Sequence, residues 1–414
     1  MFRIWLYLGF SNFLSDLLIR KDLKEKKDFI KKILSRQSKK KYSFLFSQCR
    51  VGFLSILKFI KKKNKKKEII FCSYNLPEMI NIATNLKLKV KFCDLDYRTG
   101  TIDLRDLKKS ISNQTLAIVL TNMFNNHKSS TEIKKIAKKS NITLIEDNAI
   151  YFDNFFKKKK KKCFSGEFGN FTIYSFNIMK NISSLYGGAV STQDKNFIKY
   201  CMSENAKMKK FYSFVLFKQI LIFFILKIMS LKILYRYLFI HIIRFVHKNE
   251  IQSILQLFYP SLKSINLDFP KFYYSQISDL SSLLTYSQLK NLNRRKKLFE
   301  SRRDKNKYYL KKLLKIKNKK FNLIKITDLN YQNFLDFPIL VKNKNDLNDY
   351  LLDKGIEIRL KHYYNCQKMF KIGKKCVNAE RYEKELVCLP NHPKISLSYI
   401  DFIVKNIEVY HSKL

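Results

Sequence analysis

The 414-residue chain has little glycine and proline, nine and six residues, and one tryptophan. It is also short of acid: 33 Asp and Glu stand against 82 Lys and Arg, a formal net charge of +49. Such a balance is the footprint of nucleic-acid binding where arginines cluster to read bases. Here the excess is nearly all lysine, spread along a chain rich in Asn, Ile, Phe and Tyr. That profile reads as AT-rich coding bias, and no nucleic-acid partner is expected. The charge does favour anionic surfaces, including acidic lipid headgroups and phosphorylated substrates. The eight cysteines, at 49, 72, 93, 163, 201, 366, 376 and 388, form no Cys-x-x-Cys pair and no Cys/His ligand spacing. No metal is expected, and the cysteines read as reduced thiols in a cytoplasmic compartment. The opening Met1-Phe-Arg-Ile-Trp-Leu-Tyr-Leu-Gly-Phe lacks a small-residue cleavage site, so a signal peptide is not expected. There is no internal repeat. In the most apolar region the longest charge-free piece, Gln219 to Leu226, falls far short of the ~18–20 residues a spanning helix needs.

What is present centres on Ser175-Phe-Asn-Ile-Met-Lys180-Asn-Ile-Ser-Ser-Leu-Tyr-Gly187-Gly188-Ala-Val190, which follows an apparent strand, Phe171 to Phe176. A serine five residues before a lysine, with a glycine pair beyond, has a chemical use. The hydroxyl can hold a phosphate while the amine forms a Schiff base with an aldehyde cofactor. Upstream, Leu144-Ile-Glu-Asp147-Asn-Ala149 puts a carboxylate at the end of an apolar strand. A pyridoxal phosphate (PLP) enzyme keeps there the group that pairs with its protonated ring nitrogen.

Residues 1–41 read as a basic helical segment. Ser47-Gln-Cys49-Arg50-Val51-Gly52 is a small-residue turn opening a helix, whose free N–H groups make an anion site or simply a helix start. Strand and helix patterns then alternate. Strands are expected at 68–72, 89–93, 116–120 and 143–146, and helices at 77–85, 104–112 and 130–140. This alternation predicts a parallel sheet with helices on its faces. Ligands gather at the carboxyl ends of such strands, where this register puts Tyr74, Asp94, Asn122, Asp147 and Lys180. Lys157–Lys162 reads as a solvated loop, with contact to an anionic membrane as the alternative. Residues 211–247 are apolar but dotted with Lys218, Lys227, Lys232, Arg236 and Arg244. That suits an interfacial helix or helix pair in a headgroup layer, or else packing on protein. The C-terminal part reads as a small α+β domain. It has helices at 278–292, 294–314, 344–354 and 398–411, strands at 334–341 and 355–359, and a loop at Leu389-Pro390-Asn-His-Pro393.

In order, these motifs resemble the DegT-type sugar aminotransferase family. The resemblance runs from about Tyr42 to the C-terminus, apart from 211–247. It rests on Ser47-Gln-Cys-Arg-Val-Gly52, Glu68-Ile-Ile-Phe-Cys-Ser-Tyr74, Phe92-Cys-Asp94-Leu-Asp96 with Thr101-Ile-Asp103, Ile145-Glu-Asp147-Asn-Ala149, Ser175…Lys180…Gly187-Gly188, Gly355-Ile-Glu-Ile-Arg359…His362-Tyr363 and Cys388-Leu-Pro390-Asn-His-Pro393. The resemblance implies an α/β fold of the fold-type I PLP-transferase kind. Its mostly parallel seven-stranded sheet lies between helices, with a small C-terminal α+β domain. It implies an aminotransferase moving nitrogen from an amino acid, commonly glutamate, to a keto-sugar carried on a nucleotide, in polysaccharide or glycan biosynthesis. Lys180 would carry the Schiff base and move protons, and Asp147 would keep the pyridine nitrogen protonated. Ser175 and the backbone of Cys49, Arg50 and Val51 would hold the phosphate, with Ala149 beside the cofactor. Substrate contacts are expected from Tyr74, Asn122, Arg359 and His362, although Tyr74 also suits packing and the last two also suit a surface. The family implies a homodimer with the cofactor site at the subunit interface.

The chain departs from the family at Ile150 where glutamine is common, at Leu76 where an aromatic stacks on the cofactor, and at Asn125 where glycine is expected. Phe272-Tyr-Tyr-Ser-Gln-Ile277 stands where a partner asparagine usually reaches the phosphate. Expected divisions are a basic segment 1–41, a PLP-binding domain 42–210, a possible membrane-interfacial insertion 211–247, return helices 248–300 and a small domain 301–414. A PLP-dependent sugar dehydratase and a non-catalytic membrane-associated paralogue are the alternatives. Dehydratase relatives replace the lysine with histidine.

Overall fold

A computed structural model of the chain describes residues 3–4, 6–9, 22–124, 127–152, 155–158, 161–164, 166–251, 254, 269–317, 319–326 and 335–412, with backbone only at 155–158 and 161–164. Asn125, most of the 248–268 stretch and residues 10–21 lie outside this description.

Seven strands build the main sheet: β1 (Tyr42–Phe46), β2 (Glu68–Cys72), β3 (Lys89–Cys93), β4 (Thr115–Thr121), β5 (Thr143–Asp147), β6 (Phe171–Ser175) and β7 (Gly188–Thr192). Their order is β1-β7-β6-β5-β4-β2-β3. All neighbours are parallel except at β7, which runs antiparallel to β1 and β6. Every residue of β2, β4 and β6 is buried. Continuous apolar runs of this kind belong to strands covered on both faces. The register sets Thr121 opposite Asp147 and Asp147 opposite Ile173, so β4 and β5 finish level and β6 runs two residues beyond them to Ser175.

Helix α1 (Leu23–Ser38) precedes β1, and α2 (Cys49–Lys63) follows it. Part of the basic segment expected to be helical is not. Arg3–Ile4 and Leu6–Gly9 are irregular, with Ile4, Leu6 and Leu8 all in one apolar cluster. Arg3 and Tyr7 are buried beside them, so the described part of the stretch shows none of the one-sided exposure of a surface helix.

The insertion contains α3 (Ser213–Met229), a short turn at Lys232–Leu234, a wide turn at Tyr235–Phe239 and α4 (Ile240–Lys248). The two halves bend by 76°, and no single described helix is long and apolar enough to cross a membrane. Phe223, Leu226, Met229, Tyr235, Ile240 and Ile243 form an inner face packed on Ile178 and Leu185 of the lysine loop and on Ile4, Leu6 and Leu8.

Helix α5 (Leu292–Leu314) runs without a break through position 300, then leads to an antiparallel sheet of β8 (Phe321–Leu323), β9 (Asp336–Val341) and β10 (Leu386–Pro390). Tyr364–Asn365 pairs with Tyr74–Asn75 and ties this sheet's surroundings to the main one.

Three local expectations differ from the structure. Gly355–Arg359 is not a strand. Gly355 at φ +75° and Ile356 donate to Leu352 and Leu351 and so finish the preceding helix, leaving only Arg359 bridged to Cys388. Leu389 and Pro390 are not loop but the last residues of β10, where a proline's missing N–H is tolerated at the strand end. Lys157–Lys162 is no simple loop either, because Phe155–Lys158 and Lys161–Phe164 pair as a hairpin.

Candidate active site

The site forms where β5, β6 and the start of α2 meet. Asp147 ends β5, is buried, and accepts a 3.0 Å hydrogen bond from the Ala149 amide. Burial pushes its pKa up, while the Ala149 bond and nearby Lys180 pull it down. Lys180 lies in the turn after β6, and its amide donates to the Asn177 carbonyl at 2.9 Å. The residue is half-buried. Burial lowers the amine's pKa from the ordinary 10.5, and Asp147 acts against that shift. Each group therefore feels the other's charge, yet no ion pair joins them among the described residues. A lysine whose amine loses its proton more easily is the form that attacks an aldehyde.

The turn at the start of α2 supplies the anion cradle. Gln48 precedes the helix without a side-chain cap, and the Val51 and Gly52 amides donate to its carbonyl at 3.2 and 3.3 Å. Val51's amide is thus engaged locally, whereas those of Cys49 and Arg50 stand at the first helical positions, with no earlier turn to accept them. Ser47 Oγ and both polar atoms of the Gln48 side chain are buried without a hydrogen-bond partner among the described residues. Orphaned donors at a helix N-terminus fit a phosphate. Gly188 is required there, since a Cβ on it would stand 2.2 Å from the Cys49 nitrogen. Ser175 pairs opposite Gly188 in the ladder, so the serine and the turn face one site.

Arg50 donates to Glu78 at 3.1 Å. Burial works against its charge, but Tyr273 and Glu78 outweigh that and raise its pKa. Tyr273 belongs to the stretch where the family resemblance expects a partner-subunit group, and here it sits against Arg50 of its own chain. Burial, then Asp147, push the Cys49 thiol well up, so it stays protonated.

On the opposite side, His362 is half-buried with its Nε2 enclosed and unpartnered among the described residues, and its ring stacks on Phe124 at 6.2 Å between centroids. Burial, then Arg359 and Lys180, hold its pKa well below 6.5. Arg359 pairs with Asp336 at 2.9 Å and approaches His362 Nδ1 at 3.4 Å.

Lys180, Asp147, Ala149, Ser175, Cys49, Arg50, His362 and Arg359 therefore converge. Tyr74 and Asn122 are engaged elsewhere. The Tyr74 hydroxyl accepts from the Tyr363 amide at 3.1 Å, and its ring packs edge-on against Tyr363 and Tyr382. The Asn122 amide donates to Glu146 Oε1 at 2.9 Å. Asp94 caps the helix Val377–Glu385 through the Asn378 and Ala379 amides. Ile150 joins the core, and Leu76 packs against it.

Sequence reasoning missed Glu146, Glu78, Tyr273 and the Arg302–Asn181 hydrogen bond beside Lys180. Glu146 had a signal, its place in the motif before Asp147. The others are brought in only by the fold.

Residues 23–213 and 272–408 match the DegT/DnrJ/EryC1/StrS aminotransferase family. The GDP-4-keto-6-deoxy-D-mannose 3-dehydratase of Escherichia coli O55:H7 is 32% identical over 144 residues, 34% of this chain and 36% of that protein. The chain thus spans about a third of that relative's length. A UDP-4-amino-4,6-dideoxy-N-acetyl-beta-L-altrosamine transaminase of Campylobacter jejuni is 25% identical over 353 residues, 82% of this chain and 78% of the other. Among solved structures, E. coli GDP-4-keto-6-deoxy-D-mannose-3-dehydratase with bound hydrated PLP superposes with a TM-score of 0.71 at 20% identity, covering 97% of each chain. The motifs, the matched ranges and the shared architecture agree, and the chain belongs to the DegT/DnrJ/EryC1/StrS aminotransferase family.

Proposed function

We propose that this protein is a PLP-dependent aminotransferase that takes nitrogen from an amino acid, glutamate, and gives it to a nucleotide-linked keto-sugar used in cell-surface polysaccharide or glycan assembly. The observation that carries this reading is the Lys180 amine within electrostatic reach of Asp147 but not ion-paired with it among the described residues, beside a helix start with unpartnered buried polar atoms. When bound, the cofactor supplies an aldehyde and an electron-withdrawing ring. The chain does the rest. Ser47, Gln48, Ser175 and the Cys49 and Arg50 amides hold the phosphate. Asp147 would hold the ring-nitrogen proton, and Lys180 would move a proton at the substrate carbon. Arg359 and the unpartnered His362 Nε2 receive the substrate. The dehydratase alternative is disfavoured because the lysine is retained at 180.

Incubation with ¹⁵N-glutamate and a panel of nucleotide-linked keto-sugars is the test. An aminotransferase leaves the label in the sugar. A nitrogen-free deoxy product, or no product with any sugar, would count against the reading.

The chain also works, in this reading, as a homodimer held at the inner face of the cytoplasmic membrane through residues 211–247. Phe214, Phe217, Ile233, Tyr237 and Phe245 are each at least 60% exposed on the outer side of the bent pair. No Asp or Glu occurs between Glu204 and Glu250, while lysines and arginines recur. An apolar face ringed by cations alone matches an anionic headgroup layer. The protein is expected to float with phosphatidylglycerol vesicles, and Phe217→Glu combined with Phe245→Glu to stay in the aqueous fraction. Equal recovery of both proteins would end the membrane reading, and a halved mass in the variant would make the face a subunit contact instead.

A further inference from the structure

The extreme N-terminal stretch lies against the catalytic pocket. Arg3, Ile4, Leu6, Tyr7 and Leu8 are all at least 95% buried, although the first described helix begins only at Leu23. The Arg3 amide donates to Glu357 Oε2 at 3.2 Å, and its guanidinium pairs with the same carboxylate at 3.5 Å. Lys227 of α3 donates to the Leu6 carbonyl at 3.2 Å, and Arg294 of α5 to the Tyr7 carbonyl at 2.7 Å. The Arg302 guanidinium lies 4.3 Å from the Tyr7 ring centroid and also bonds Asn181, the neighbour of Lys180. One short segment is thus fastened at once to the small domain, the insertion, α5 and the surroundings of the lysine loop.

What it encloses is small. Arg3 and Tyr7 face Met179, Asp336, Arg359 and His392 across a cavity of 20 Å³. That is room for about one water, against the roughly 300–1,000 Å³ of pockets that hold small-molecule ligands. Met179 adjoins Lys180, and Arg359 neighbours His362, so this is the substrate end of the site. A substrate group reaching Arg359 from this side has no space there while the segment is seated.

We propose that residues 3–4 and 6–9 form a strap that occludes the substrate end of the pocket, latched by Arg3 on Glu357, and that substrate binds only after the strap lifts. The proposal rests on the aminotransferase reading. Apparent affinity is then the intrinsic affinity reduced by the fraction of molecules with the strap lifted. The insertion packs its inner face on Ile4, Leu6 and Leu8, so it holds the strap as well as presenting its own outer face.

Weakening the latch should raise the lifted fraction. In the PLP-loaded protein, Arg3→Gln is expected to lower the KM for glutamate severalfold, with kcat and the cofactor's visible band unchanged. Arg3→Lys, which keeps the charge, should stay near wild type. Deuterium exchange at the amides of the buried Leu6, Tyr7 and Leu8, read by mass spectrometry without substrate, should be faster in Arg3→Gln than in wild type. An unchanged or raised KM together with unchanged exchange would overturn the strap. If glutamate proves not to react at all, the aminotransferase reading fails, while the exchange comparison still decides whether Arg3 holds the segment down.

Discussion

Lys180→Ala is expected to abolish the visible absorbance of the PLP-loaded protein and to lower turnover by about 10²–10⁴-fold or more, the range lost when a positioned acid–base group is removed. The expectation follows from the amine's surroundings. Burial favours its neutral form, and Asp147 is near enough to restrain that shift without forming an ion pair that would tie the amine up. Alanine removes both the covalent attachment and the proton carrier while leaving the Asn177 turn in place. Cofactor should still bind through the phosphate cradle, now released by simple dialysis. Ethylamine in the buffer should restore part of the rate, because a free amine can serve in the emptied space. In wild type the acid limb of the pH–rate profile should fall below the ordinary lysine value of 10.5, since burial dominates. A visible band or full turnover in Lys180→Ala would place the reactive amine elsewhere.

Glu146→Ala is expected to cost several kcal/mol of stability, seen as a lower urea midpoint at unchanged slope. Glu146 is fully buried and accepts four hydrogen bonds. Asn122 and the Gly166 amide donate to Oε1 at 2.9 and 2.7 Å, and the Phe168 and Gly169 amides donate to Oε2 at 2.8 and 3.0 Å. Each buried donor left unpaired costs about 1–3 kcal/mol. Relaxation and an admitted water would recover some of that, so about 3–6 kcal/mol is expected, a large share of the ~5–15 kcal/mol that holds a typical protein folded. Glu146→Gln should fall between, since its amide NH₂ would confront amides that also donate. A loss under about 1 kcal/mol for Glu146→Ala would show that these donors find other partners, an outcome against the tightness seen at Gly169, where a Cβ would lie 2.8 Å from the Glu146 nitrogen.

Much of the fold was legible because its signals are local. Buried parallel strands read as continuous apolar runs, and β2 through β5 begin and end within a residue or two of where those runs do. Ser175 and Asp147 stand at the carboxyl ends of the neighbouring strands β6 and β5, and Gly188, which opens β7, pairs with Ser175, so this short spacing keeps its order in space. Polar residues without a fixed backbone address were less readable. Asn122 and Tyr74 sit at strand ends as expected, but a neighbour takes up the polar end of each, Glu146 for the amide and the Tyr363 amide for the hydroxyl. Nothing in the order of residues says that Glu78 and Tyr273, 195 positions apart, meet at Arg50.

The linear chain by itself determined the strand–helix alternation, the lysine and carboxylate proposed to do the chemistry, and the apolar, acid-free insertion. These depend on side-chain type and short spacing, which folding preserves. Tertiary structure alone decided that Arg3 lies beside Arg359, that Arg302 grips the lysine loop through Asn181, and that one face of the insertion is spent on the strap while the other stays bare. The reason is physical: long-range pairings are chosen by which buried surfaces and charges must find partners once the sheet has closed, and sequence distance carries no record of that competition.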